Sequence, residues 1–278
     1  MLQLIIILLI LVLAGFVLYI LLNRSLFDKQ IKNEIKNLEI LSNEEQFNHT
    51  DIQQFKDLPQ PVQRYLTYCN VTDQSISSFV SLKHKGSFRT APGQKWMPID
   101  GEEYFTIKQP GFIWYARLKP MPFFWIQARD RYINGEGRMT VKLWSSFTVG
   151  DPKGKELNIS SLLRYLFEMP LFPVSFMNND FIRWETIDAH TAKASIRDHN
   201  MEASGIFQFN DEGELTYGYT NDRYMEQNGK FIQQKWSARY NNYQEMNGIR
   251  VPSETIVSWD NGEEFQYARF IITDVNYD

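Results

Sequence analysis

Four Asn-Gly pairs constrain this chain more than any other feature: Asn134-Gly135, Asn228-Gly229, Asn247-Gly248 and Asn261-Gly262. Asn and Gly both tolerate the positive φ that a two-residue type I′ hairpin demands at its central positions. A fifth turn is Asp211-Glu212-Gly213. The last four turns lie about 14–19 residues apart, which leaves room for strands near the upper end of the ordinary length range. The pattern predicts a meander of long antiparallel strands from about Phe79 onward. Alternation supports it. Ile232, Gln234, Trp236, Ala238 and Tyr240 fall on one face, and Gln233, Lys235, Ser237 and Arg239 on the other. Leu215, Tyr217 and Tyr219 alternate with Glu214, Thr216 and Gly218, and Phe207 and Phe209 with Gln208 and Asn210. One face of the sheet is then apolar and aromatic, the other wet.

A second feature is the N-terminus. Leu2 to Leu22 is apolar apart from Gln3, which is about the 20 residues that cross a hydrocarbon core as a helix. The run exceeds a signal-peptide core, has no basic segment before it, and no small-x-small cleavage site precedes Asn23. A single-pass anchor in the cell membrane is the expectation, with a cleaved signal as the alternative. Arg24, Lys29, Lys32 and Lys36 follow the span, so charge bias favours a cytoplasmic domain.

Composition narrows the class. Aromatics make up 15% of 278 residues and the formal net charge is −4, which excludes a disordered chain and a general nucleic-acid binder. One Cys, Cys69, excludes a disulfide scaffold.

Helices frame the strands. Ile31, Ile35, Leu38 and Leu41 recur at helical spacing among Lys, Asn and Glu, predicting an amphipathic helix that continues out of the membrane or lays one face on the domain. A polar linker with a short helix follows over 42–57. Pro59 and Pro61 precede Val62, Tyr65 and Leu66, marking a short helix with prolines in its first turn. Ser160 to Met169, stopped by Pro170, predicts a helix that is apolar nearly all round, with Arg164 and Glu168 at i, i+4. The concave face of a curved sheet is its natural cover.

Glu103 to Trp114, with Lys108-Gln109-Pro110-Gly111 in its turn, resembles the strand-turn-strand of the lipoprotein-carrier superfamily, as do Gly248 to Ser253 and the closing Ile271 to Asn276. The resemblance implies a half-barrel over about residues 60–278, plugged by helices, whose hollow holds acyl chains, and it favours an extracytoplasmic domain. The carriers have an Arg before the Trp of the second strand, where this chain has Ile113, and they carry no spanning helix. These departures leave a fixed binder or a membrane-side module rather than a shuttle. Leu58-Pro59 with Val62 and Arg64-Tyr65-Leu66, then Arg164-Tyr165-Leu166 with Glu168 and Pro173, and Trp259, also resemble an uncharacterised family of membrane-anchored bacterial proteins.

Reaction motifs are absent: there is no Gly-x-Ser-x-Gly, His-Glu-x-x-His, phosphate loop or Cys-x-x-Cys. His190 and His199, near Asp188 and Asp198, read as polar residues of exposed turns rather than a zinc site, and His84 between Lys83 and Lys85 as solvated. Arg129 and Arg131 share one face of a strand and Asp130 the other; the two guanidinium groups either hold an anionic headgroup or pair with acids across strands. Arg164 and Glu168, charged within an apolar helix, need partners: each other, or Arg129 and Arg131 across the core. Pro120 to Trp125 is a dense apolar stretch that either dips into the bilayer or caps the core.

The resulting expectation is a mainly β (α+β) chain. Residues 1–22 form the transmembrane anchor, 23–57 the amphipathic helix and linker, and 58–278 a single β-rich domain, a curved antiparallel sheet packed on one or two helices. Its expected ligand is hydrophobic or lipid-like, drawn from the adjacent bilayer and contacted by Trp114, Trp125, Arg129, Arg131, Arg164, Glu168, Trp184 and Trp236. No nucleic acid, cofactor or metal is expected. The alternatives are an interaction module with a filled core, and a hydrolase or transferase using Glu168 or the His190/His199 pair.

Overall fold

The computed structural model describes residues 1–43, 52–71, 78–227 and 229–277. Helix α1, Leu2–Asn43, runs unbroken from the apolar segment into the amphipathic one. Of the linker, residues 44–51 lie outside the described residues; Ile52–Asp57 is a short helix, α2. Helix α3, Gln60–Tyr68, starts at Pro59 and carries Pro61 in its first turn, where a missing N–H costs nothing.

The first meander comprises β1 (Phe79–Phe88), β2 (Met97–Thr106), β3 (Gly111–Met121), β4 (Phe124–Ile133), β5 (Glu136–Leu143) and β6 (Phe147–Gly150). Helix α4, Lys155–Glu168, and two 3₁₀ turns, Met169–Leu171 and Pro173–Met177, follow it. The second meander comprises β7 (Ile182–Thr186), β8 (Thr191–Asp198), β9 (Met201–Phe209), β10 (Leu215–Thr220), β13 (Lys235–Met246), β14 (Ile249–Asp260) and β15 (Glu264–Tyr277). A separate ribbon, β11 (Tyr224–Gln227) with β12 (Lys230–Gln233), lies between β10 and β13.

Among the described residues, thirteen strands form one antiparallel sheet in the order β6-β5-β4-β3-β2-β1-β15-β14-β13-β10-β9-β8-β7. The first meander runs outward from the centre to one edge, and the second returns from the other edge to pair β15 with β1. The sheet is not closed, because β6 and β7 are both edges. The chain must therefore cross from edge to edge, and α4 with its 3₁₀ turns makes the crossing. Leu162, Leu163, Leu166 and Phe167 on α4 are buried against strands of both halves, each contributing roughly 1.5–3 kcal/mol by burial. Tyr65 and Leu66 of α3 join the same core beside Phe176 and Phe209.

The opposite face of the first meander carries α1. Leu38 packs with Ile113 and Phe79 in a second, smaller apolar cluster, so the apolar run Phe112 to Ala116 of β3 is covered on both faces. Gln127 donates to Asp28 at 3.0 Å and Arg129 to Glu34 at 2.6 Å, which ties α1 to β4.

Four expectations need correction. The helix expected from Ser160 begins at Lys155, because its first turn is polar and half exposed. The hairpin at Asn228-Gly229, of which Asn228 lies outside the described residues, is not part of the main meander: β10 pairs directly with β13, so Ile232 is exposed on the ribbon while Trp236, Ala238 and Tyr240 face the core. Tyr217 and Tyr219 do not face the core with Leu215. An irregularity between Leu215 and Tyr217 shifts the register and flips the faces; Gly218 now points inward at Phe167, and the tyrosines meet Arg239 and Lys235 outside. Asn134-Gly135 and Asn247-Gly248 have positive φ at both residues, but at Asn261-Gly262 only Gly262 does, and a three-residue loop joins β14 to β15.

Candidate functional site

A cavity of about 150 Å³ lies between α4 and the concave face. One wall is apolar: Phe88 of β1, Leu171, Tyr240 of β13, Val257 of β14, and Phe270 and Ile272 of β15. The other wall is charged, with Glu103, Asp130, Arg164, Glu168 and Arg223. Alternation sets this wall. Asp130 points inward from β4 while Arg129 and Arg131 point outward, and Glu103 on β2 lies opposite Trp114 on β3.

Arg164 organises the acids. Its Nη2 donates to Glu103 Oε1 at 2.7 Å, Nη1 to Asp130 Oδ2 at 2.9 Å, and Nε to Glu168 Oε1 at 2.9 Å. Its guanidinium lies 4.9 Å from the Trp114 ring and 5.0 Å from that of Phe112. Burial pushes the Glu103 carboxyl well above its ordinary range; Arg164 opposes the shift and the charge of Glu168 adds to it. Burial also raises Asp130 and Glu168 against the pull of Arg164.

His84 is not solvated: it is 3% exposed, because Lys83 and Lys85 point out of the strand and the residue between them points in. Its ring stacks on Trp114, whose indole N–H donates to His84 Nε2 at 2.8 Å. Burial lowers its pKa to about 4, and the charge of Arg164 acts the same way.

Of the residues singled out in the sequence, Trp114, Arg164, Glu168 and Trp236 line this cavity together. Arg129 and Arg131 do not; they occupy the outer face, where Arg129 pairs with Glu34 and Thr140, so Arg164 and Glu168 do not meet them across the core. Trp125 lies at the far end of β4, donating to Ser145 at 2.9 Å. Trp184 packs on Phe176 and Phe207 away from the cavity. His190 and His199 bracket β8 and pair with Asp211 and Asp198; no group of three or more potential metal ligands occurs among the described residues. Sequence reasoning missed Glu103, Asp130, Arg223 and Tyr267 as cavity residues. The inward register of Asp130 was readable from alternation; Arg223, in the connection before β11, gives no periodic signal.

A second apolar surface lies at the ends of β3, β4, β5 and β6, beside α1. Phe123 is 95% exposed, with Met121 and Val149 also exposed. Phe16 and Tyr19 of α1 pack on Phe147, and Phe16 on Trp144. Arg24, Arg117 and Lys119 line a groove with Pro120 to Trp125.

Residues 48–270 match the family described as "Family of unknown function (DUF6544)". No curated protein matches the chain. Among solved structures, a DUF1329 family protein from Desulfovibrio piger is similar at 11% identity and a TM-score of 0.41, over 78% of this chain and 92% of that one. A LolA superfamily protein from Nitrosomonas europaea is similar at 11% identity and a TM-score of 0.36, over 78% and 93%. Both likenesses read in the sequence, to an uncharacterised family and to the lipoprotein-carrier superfamily, are therefore present among the matches.

Proposed function

This chain belongs to the DUF6544 family of unknown function, and we propose that it is a membrane-tethered binding protein that holds a hydrophobic, lipid-like ligand in the hollow of its sheet. The observation that carries this reading is the cavity itself. A concave, largely apolar space with a few convergent polar groups is the ordinary form of a small-molecule site, and here Trp114, Trp236, Arg164 and Glu168 face it. Glu103, Asp130 and Glu168 each give one oxygen to Arg164, which supports a positioning role for these acids in a binding site.

Residues 1–22 serve as the anchor, 23–57 as the helix and linker, and 58–278 as the binding domain. The first part of α1 is long and apolar enough to cross a membrane. The hairpin ends beside it support the same placement. Phe123 has a φ of 61°, a conformation unfavourable for a bulky residue, yet its ring packs on nothing inside the protein. An exposed aromatic at such a position fits insertion among lipid tails, with Arg24, Arg117 and Lys119 at headgroup level. The ligand then enters from the bilayer to which the domain is held.

The test is native mass spectrometry with solvent extraction on the chain from Asn23 to Asp278, purified without detergent. That chain keeps the buried α1 residues Phe27, Ile31 and Leu38 and loses Ile20. A reproducible co-purifying lipid or acyl compound is the expected result. An apo mass that persists after mixing with membrane extract overturns the reading in favour of an interaction module.

A further inference from the structure

The cavity holds one guanidinium whose edge has no acceptor. Arg223 lies over the Trp236 ring at 4.3 Å and the Trp259 ring at 5.6 Å. Stacking covers the faces of the guanidinium plane but leaves its in-plane N–H groups unbonded. Among the described residues the side chain makes no hydrogen bond or ion pair, and Nη1 is enclosed without a partner. This sets it apart from Arg164, which has three carboxylates. Burial holds the Arg223 guanidinium below its ordinary value, with Tyr267, Glu168 and Asp130 opposing the shift and Arg164 adding to it; none of them bonds its free N–H edge, so a direct acceptor there would stabilise it further.

Tyr267 supplies a second donor. Its ring stacks on Trp259, and its hydroxyl accepts from Trp236 Nε1 at 2.9 Å. A hydroxyl that accepts once still has its own proton to donate. Arg223 and Tyr267 both line the cavity, together with Phe270 and Ile272.

We propose that Arg223 and Tyr267 form an anion clamp, and that the ligand is a single-chain amphiphile with one acidic head, a carboxylate or a phosphate monoester, its chain lying along the apolar wall. A cavity of about 150 Å³ takes the head and first methylenes of one chain, with the rest extending beyond it along the apolar wall, and leaves no room for the paired chains of a bilayer phospholipid. Charge-assisted hydrogen bonds to a planar guanidinium are strong and geometrically selective. This inference rests on the hollow being a ligand site, as proposed above, and adds which head it selects.

The test is photo-crosslinking of the full chain in phosphatidylcholine vesicles, using diazirine-bearing hexadecanoic acid, hexadecyl phosphate and hexadecanol, with labelled peptides mapped by mass spectrometry. The acid, the phosphate or both should label peptides containing Tyr240 or Phe270 about tenfold more than the alcohol; which of the two does so identifies the head. Arg223→Gln should bring acid labelling down to the level of alcohol labelling measured in the same variant. Tyr267→Phe, which removes one oxygen, should lower acid labelling by a smaller factor and keeps the test decisive if Arg223→Gln does not fold. Equal labelling by all three probes, or an acid preference that survives both substitutions, overturns the clamp but leaves the hollow as a ligand site. No labelling of cavity peptides by any probe overturns both.

Discussion

Trp114 donates its indole N–H to His84 Nε2 at 2.8 Å across a stacked pair of rings, so the His84 proton resides on Nδ1 and the ring is neutral. That neutrality makes the domain sensitive to acid. The unfolded histidine titrates near 6.5 and the folded one near 4. Between these values the unfolded chain binds a proton that the folded one refuses, so stability is lost as pH falls from 6.5 towards 4, by about 3 kcal/mol in total. Denaturant titrations of the wild type across this range should show the loss. His84→Gln keeps an acceptor for Trp114 without titrating and should remove that part of the slope. An unchanged slope in the variant would assign the acid sensitivity to other groups.

Arg164 and Glu103 differ in what their removal exposes. Arg164→Met leaves Glu103, Asp130 and Glu168 buried without their shared cation and should cost about 3–5 kcal/mol. Glu103→Gln should be mild, because burial already keeps this carboxyl above its ordinary range. The sign follows from linkage: with a raised folded pKa, stability is present below the unfolded value and is lost as pH rises through the folded one. The Gln variant should therefore lose less stability than the wild type on going from pH 5 to pH 9. Equal costs for the two substitutions, measured by urea unfolding at pH 7, would contradict a Glu103 carboxyl held above its ordinary range.

Phe167 occupies space that two strands leave open for it. A Cβ at Gly205 would lie 2.6 Å from its Cζ, and one at Gly218 2.9 Å from its Cε1. The ring is held on its other sides by Phe207 at 4.9 Å and Trp236 at 5.1 Å, so it has little room to retreat. Gly205→Ala should destabilise by about 1–3 kcal/mol through overpacking. In the Phe167→Leu background the same substitution should cost less, and a double-mutant cycle of chemical denaturation measures the coupling. Additive effects would show that the glycine is needed for some other reason.

What was legible in the sequence follows physical lines. The Asn-Gly turns and the alternation at Trp236, Ala238 and Tyr240 encode local geometry, so the antiparallel sheet was readable. An apolar helix bearing Arg164 and Glu168 announces a buried polar cluster, so half of the cavity residues named from sequence meet there. The partners Glu103 and Asp130 were not readable as such, because they sit on separate strands and only the register of β2, β3 and β4 brings them to one helix. The irregularity that turns Tyr217 outward involves a single residue, which alternation cannot anticipate. His84 was hidden by its lysine neighbours, although in a strand those neighbours are the reason it points in.

The hairpin end at Phe123 separates membrane contact from fold. Its ring is 95% exposed, at a φ of 61°, so replacing it removes no internal contact. Phe123→Asp should leave the thermal midpoint of the chain from Asn23 to Asp278 nearly unchanged. The same substitution should lower the partitioning of that chain onto phosphatidylglycerol-containing vesicles by about tenfold, the equivalent of removing one buried aromatic side chain from the bilayer. Phe123→Gly relieves the backbone strain and should raise stability by about 1 kcal/mol while weakening vesicle binding. Sedimentation with vesicles measures both. If the wild-type domain does not bind, or if Phe123→Asp binds equally well, the hairpin ends do not enter the membrane and α1 alone sets the position of the domain.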